Sequence, residues 1–320
     1  MRALVLHAEH ELPRLEEMPK PPAAPGRVVV RVSAAGLNYA DTMMRRGFYL
    51  QTPQFPFVPG FEFSGVVDET GPDVTGLRPG DRVMGTGEGA FAEFAQASPV
   101  LLMPVPEGFS DEEAAGFPVV YLTAMGMLRL SARAARGETI LIHAAAGGVG
   151  TAAIQLSKHL GLRVIATAST DEKLALARSL GADVTINYST GDFVEPVLAA
   201  TGGRGADIVF ESIGGDFLAR DIQAAAPFGR IVVFGMASGQ AANPEVGSLF
   251  HNSVSVSAFW MFTLALHPEL IPGVAQELLD IVRQARIRPV IRGVYPLERA
   301  AEAIRAMEAR RTTGKIILKP

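Results

Sequence analysis

The sequence contains no cysteine in 320 residues. That excludes disulfides, thiolate zinc sites and cysteine nucleophiles. It also lacks an excess of positive charge: 29 Lys and Arg face 33 Asp and Glu, for a formal net charge of −4. Nothing in that balance favours nucleic acid or an anionic membrane surface as a partner. Long apolar runs are missing too. The least polar stretch, residues 254–266, is about half the length of a spanning helix and is broken by serines. The opening MRALVLHAEHELPRLEEMPKPP alternates and carries acids early, unlike a signal or transit peptide, so a cytoplasmic location is expected. No solenoid-period repeat is visible, and no low-complexity tract exceeds a short Pro/Ala loop at 19–25. With 48% hydrophobic and 19% charged residues, the composition is that of a soluble α/β protein with one large or two ordinary domains.

The chain is organised around residues 138–173. The apolar run Thr139-Ile140-Leu141-Ile142 reads as a buried parallel strand. A loop of small residues follows, through Ala146, Gly147, Gly148, Val149 and Gly150, and then a helical pattern from Thr151 to about Leu160. Gly161 ends that helix, and residues 162–167 read as a second strand. Glycines at the first strand-to-helix turn of such a βαβ unit let a pyrophosphate approach backbone N–H groups at a helix N-terminus. The spelling A-A-A-G-G-V-G departs from G-x-G-x-x-G, so strand and helix context carries the dinucleotide reading. An NAD site would place an acid at the end of the second strand. Here Ala168-Ser169-Thr170 stands there, with Lys173 one turn on; hydroxyls and a lysine suit the 2′-phosphate of NADPH. Asp171 reads more simply as a first-turn acid beside a cap.

The first third is rich in strands and turns, with strand-like runs at 3–7, 27–33, 62–70, 81–84 and 90–97. From about Tyr121 helices and strands alternate. Helices are expected at 111–117, 122–131, 151–160, 171–180 and 193–201. Strands are expected at 139–142, 164–167, 184–187, 206–211, 230–234 and 253–259, giving six strands of a doubly wound sheet. The tail adds helices at 272–285 and 297–309 and strands at 290–295 and 314–318. A closing strand makes sense if it pairs with the N-terminal region. The expected division is thus 1–120 and 259–320 for a discontinuous catalytic domain and 121–258 for the nucleotide domain, with the active site in the cleft between them.

The chain resembles the zinc-independent quinone oxidoreductases of the medium-chain dehydrogenase/reductase superfamily. The residues that carry the resemblance are AAGLNYAD at 34–41, PGFEFSGVV at 59–67, GDRV at 80–83, FPVVYLTA at 117–124, HAAAGGVG at 143–150, INY at 186–188 and TGKIIL at 313–318. It implies a GroES-like, partly closed β-barrel catalytic domain beside a Rossmann domain with a six-stranded parallel sheet. It also implies a homo-oligomer, most simply a dimer, and the apolar edge at 254–259 is compatible with that. Where zinc-bearing relatives have a cysteine this chain has Asn38, and where they have His-Glu it has Phe61-Glu62. One carboxylate does not supply the three protein ligands of a catalytic zinc. Without that Lewis acid, alcohol oxidation gives way to hydride delivery from NADPH to an electron-poor acceptor, a quinone or conjugated enone.

For the site, Asn38 is an expected donor to a substrate carbonyl or the nicotinamide ribose, although Asn38 and Asp41 also read as a turn and helix cap. Asp41 is expected to orient that loop. Tyr39 and Tyr49 are candidate proton donors, or packing residues. The resemblance places Thr123 at the nicotinamide end, and Lys173 and Tyr188 at the 2′-phosphate and adenine. Ser212 and Phe234-Gly235 follow strand ends, where open α/β sheets bind ligands. Lys315 resembles a family lysine or arginine that reaches the cofactor, and closing the sheet explains Thr-Gly-Lys equally well. His7 and His10 have no third ligand in view and read as structural. Two other readings stay open: reduction of enoyl thioesters or alkenals on the same fold, and NADPH binding without turnover.

Overall fold

The computed structural model describes residues 1–49, 54–285 and 287–320. The chain divides into two compact units. One comprises Met1–Val120, His267–Arg283 and Arg288–Pro320; the other comprises Tyr121–Leu266 and Gln284–Ile287.

The first unit is built on a seven-stranded, largely antiparallel sheet. Its centre is the long strand Val28–Leu37, which pairs with Glu62–Thr70, with Phe94–Ala97 and with the C-terminal strand Lys315–Lys319. The last of these pairings, Ile316 opposite Leu37, is the return of the closing strand to the N-terminal region that the sequence suggested. Val28, Val30, Leu37, Phe63, Val83, Phe91, Ile316 and Leu318 form its core. Two short strands, Arg14–Glu17 and Leu102–Pro104, escaped the sequence reading. The first is almost wholly exposed and lacks the apolar alternation that marks a strand; the second is three residues long.

The second unit is a six-stranded parallel sheet in the order Val184–Asn187, Arg163–Ala168, Thr139–Ile142, Ala206–Glu211, Ala225–Val233, Ser255–Ala258. Numbered along the chain this is 3-2-1-4-5-6, the doubly wound order whose reversal lies beside the first strand. Residues Thr139–Ile142 and Ala206–Glu211 are buried throughout, as expected of strands covered on both faces. The outer strand Ser255–Ala258 is mostly exposed.

Three details correct the sequence expectations. The helix of the glycine loop begins at Gly148, not Thr151, so Gly148 and Gly150 lie in its first turn. A helix at Phe217–Ala224, unassigned from sequence, connects the fourth and fifth strands. The chain leaves the sheet unit at His267, not at 259. The Phe259 N–H donates to the Val233 carbonyl at 2.9 Å, and its ring fills the space beside Gly126, where a Cβ would collide with it. Those contacts hold residue 259 within the sheet unit.

Candidate active site

The candidate residues divide between the two units. In the first, Asn38 caps the helix Tyr39–Arg45 at the end of the long central strand. Its backbone N–H donates to Asp41 Oδ2 at 2.8 Å, which fixes the helix start. Around it lies a buried polar cluster drawn from three strands and that helix. Glu62 is fully buried, and Lys315, Asp41 and Asn38 are 3%, 6% and 7% exposed. Lys315 Nζ donates to Glu62 Oε2 at 2.6 Å, Asn38 Oδ1 at 2.7 Å and the Leu37 carbonyl at 3.1 Å. The Asn38 amide donates to Glu62 Oε2 at 2.9 Å and to the Gly36 carbonyl at 3.2 Å. The Val119 N–H donates to Glu62 Oε1 at 2.7 Å. Gly36 is required here, because a Cβ would overlap Glu62 and the Ala115 carbonyl.

Every donor of the Lys315 ammonium is therefore engaged within this unit. The same holds for the Asn38 amide: two donors and one acceptor are all satisfied. Lysine on the Asn38 oxygen fixes which end of that amide is which. Donation from Asn38 to a ligand would require one of these bonds to give way. Asp41 differs. Its Oδ1 is buried without a hydrogen-bond partner among the described residues. Burial pushes its carboxyl up to about 7 and the Glu62 charge adds to this, against the Asn38 N–H, the Lys315 charge and the Gly60 N–H, which favour the ionised form. Tyr49 is half-buried and lies four residues past the end of the helix.

Glu62 is the one acid among these residues that could ligate a metal in the way the zinc-bearing relatives do, and its Oε2 already holds the Lys315 ammonium. Asn38 and Phe61 supply no thiolate or imidazole beside it. This donor set does not fit a catalytic zinc. Among the described residues no group of three or more His, Asp or Glu could hold a metal. His7 bonds Glu16 instead, at 2.7 Å.

In the second unit the glycine loop lies between Ile142 and Gly148. Ala144 adopts positive φ, and Gly147 precedes the helix as its cap. A Cβ on Gly150 would stand 2.6 Å from the Ala144 carbonyl oxygen and 2.7 Å from Ala145, so only glycine permits this close approach of helix and turn. Ala146 is buried and Val149 half-buried beside it. At the end of the second strand, Thr170 caps the helix Asp171–Ser179 through the Lys173 N–H at 3.3 Å. Lys173 Nζ reaches Ser169 Oγ at 3.3 Å, so the hydroxyl and ammonium expected at a 2′-phosphate are neighbours. Asp171 accepts from Asn187 Nδ2 at 3.2 Å. Tyr188 follows the neighbouring strand, its ring edge-on to Phe217 at 5.5 Å. Ser212 and Phe234-Gly235 stand at adjacent strand ends, a Gly235 Cβ being placed 3.2 Å from the Ser212 carbonyl. Thr123 is buried in the helix Pro118–Gly126.

The pairing of Glu62 with Lys315 was absent from the sequence reading. A signal existed: an acid inside PGFEFSGVV and a lysine opening an apolar strand are both forced into the core and need partners.

Residues 24–107 match the family described as alcohol dehydrogenase GroES-like domain, and residues 148–280 match zinc-binding dehydrogenase. A quinone oxidoreductase of Pseudomonas aeruginosa is 39% identical over 304 residues, 93% of each chain. A 2-haloacrylate reductase of a Burkholderia species is 36% identical over 318 residues, covering 95% of this chain and 94% of the other. The structure of a mycobacterial protein complexed with NADPH superposes with a TM-score of 0.95 at 34% identity, over the whole of both chains. The chain belongs to the medium-chain dehydrogenase/reductase superfamily of oxidoreductases, in its zinc-independent quinone oxidoreductase branch.

Proposed function

We propose that the protein is an NADPH-dependent, zinc-free reductase that delivers a hydride to a quinone or a similar conjugated carbonyl acceptor. The observation that carries this reading is the occupation of Glu62 by the Lys315 ammonium, with Asn38 completing the cluster. No residue there offers the Lewis acid with which an alcohol oxygen would be ionised. An acceptor that delocalises incoming charge through its own conjugated carbonyl needs none.

The neighbouring Ser169 hydroxyl and Lys173 ammonium support NADPH, since they offer a donor and a cation to a phosphate. The Gly147-capped helix start and the close packing at Gly150 support the pyrophosphate position. The mycobacterial relative solved with NADPH supports the same cofactor. When bound, NADPH supplies the hydride from its nicotinamide C4. Reduction of a quinone to the hydroquinone then takes one further proton. Asp41, with its carboxyl pushed up to about 7 and one unpartnered oxygen, is the acid in the catalytic unit suited to hold that proton near neutral pH. The 2-haloacrylate relative keeps a second reading in play, reduction of an activated carbon–carbon double bond.

A panel of acceptors tests the proposal: a small quinone, an alkenal, a haloacrylate and an enoyl thioester, each with NADPH and with NADH. Fastest turnover is expected with the quinone and NADPH. Lys173→Ala should raise the KM for NADPH by about tenfold, the loss of one charged phosphate contact of ~1.4 kcal/mol, and leave that for NADH within about twofold. Equal effects on both cofactors would reject the 2′-phosphate role, and turnover confined to the thioester would reject the acceptor class.

A further inference from the structure

A second buried polar cluster lies at the carboxyl end of the central strand Ala206–Glu211. Glu211 ends the strand and is fully buried. Its Oε1 accepts the N–H groups of Ile213 at 2.5 Å and Gly214 at 2.9 Å, while its Oε2 is buried with no hydrogen-bond partner. Asp221, on the helix Phe217–Ala224, is also fully buried. One of its oxygens bonds His143 Nε2 at 2.7 Å and the other has no partner. His143 follows the strand Thr139–Ile142 and bonds Thr167 Oγ1 through Nδ1 at 2.7 Å, its ring packed edge-on against Phe193 and Phe217. The next charge outward, Arg220, stacks on those two phenyl rings and pairs with Asp216 and Asp192.

Of the two carboxyl groups only Asp221 is bonded to the imidazole, and among the described residues no cation is bonded to Glu211. What Glu211 does hold is backbone. The turn it anchors, residues 212–215, includes Gly214 and Gly215 at positive φ. That turn is bonded in turn to the one after the adjacent strand: Ala237 N–H to the Ser212 carbonyl at 2.8 Å, Ser238 N–H to the Ile213 carbonyl at 2.7 Å, and Gly215 N–H to the Gln240 carbonyl at 3.1 Å. Both turns sit at the strand ends where ligands bind in open α/β sheets.

We propose that Glu211 is a positioning residue for the nicotinamide cofactor, its one carboxyl oxygen fixing the turns that carry Ser212 and Phe234-Gly235. The inference rests on the reading of this edge as the cofactor site. The unpartnered Oε2 favours Glu211 as the neutral acid: an ionised oxygen buried there, with Asp221 nearby, would have no donor or cation bonded to it among the described residues. Burial accordingly holds the carboxyl above its usual range and the Asp221 charge reinforces this; the Gly214 and Ile213 N–H groups and His143 oppose it without reversing it. As the neutral acid, Glu211 leaves no uncompensated charge on that buried oxygen.

Two variants and one titration test this. Glu211→Gln keeps the Oε1 acceptor and places an N–H group where the acid carries its proton. Glu211→Leu has similar size and neither function. NADPH affinity, followed by quenching of protein fluorescence, should stay within about twofold in E211Q and fall about tenfold or more in E211L. The KM for the acceptor should hold within about twofold in both, a split that general loosening of the fold would not give. Normal NADPH binding by E211L, or E211Q as impaired as E211L, overturns the inference. Should E211L not fold, E211Q decides through urea unfolding. Its midpoint should gain on that of the unmodified protein as pH rises above the ordinary glutamate range, because a carboxyl with a raised folded pKa loses its stabilising proton there. Parallel midpoints would overturn the neutral acid. Failure of the unmodified protein to bind NADPH would defeat the cofactor reading and this inference together, an outcome distinct from those of the variants.

Discussion

At the scale of the residue, Asp41 and Lys315 show what a sequence conceals. Asn38, Asp41 and Lys315 were legible as candidates from AAGLNYAD and TGKIIL, but their partners were not, because Glu62 and Lys315 stand 253 positions apart. The structure shows Asn38 satisfied on every polar atom and Asp41 left with an orphaned oxygen. Asp41 therefore carries a pH dependence. Its carboxyl is raised to about 7 in the fold, above its unfolded value, so its contribution to stability is complete below about pH 4 and is lost as pH rises towards 7. Asp41→Asn keeps an acceptor for the Asn38 N–H and has no charge to bury. Urea unfolding should show D41N gaining on the unmodified protein between pH 4.5 and 8, by up to about 4 kcal/mol at ~1.4 kcal/mol per unit of pH. Quinone turnover in D41N should lose the decline above neutral pH expected of the unmodified enzyme. A stability gap that does not change with pH would show that Asp41 is ionised throughout.

Elements were read well where a period and a cap agreed. The strands Glu62–Thr70, Val184–Asn187 and Ala206–Glu211 lie where the pattern put them. The helix Phe217–Ala224 is hard to read because Gly214-Gly215 stand just before it and Asp221 breaks its apolar face; that acid points inward to His143. The start of the glycine-loop helix was placed three residues late, since glycines argue against a helix interior unless close approach demands them, as at Gly150. The closing strand Lys315–Lys319 is joined to the sheet by more than its ladder, for Lys315 brings a buried charge to Glu62 on another strand. Lys315→Met leaves Glu62 buried and unpaired and should cost about 3–5 kcal/mol. Adding Glu62→Gln should recover part of that loss, a non-additivity read by urea unfolding of both single variants and the double variant. Simple additivity would mean that the two groups do not act as a pair.

For the whole molecule, fold class was the most legible property. Alternation of strand and helix after Tyr121 specified the doubly wound sheet, and a terminal strand without a sequence neighbour pointed to a discontinuous first domain. The lack of zinc-ligand residue types was legible at two positions, Asn38 and Phe61. What the structure adds is the partner of the buried Glu62: an ammonium from the far end of the chain stands on it at 2.6 Å. The most direct test of that account is NADPH oxidation with a small quinone by protein dialysed against a strong chelator, with zinc then added back. Full turnover after dialysis, unchanged by zinc, is the predicted result. Turnover that disappears on dialysis and returns with zinc would contradict the account at its centre.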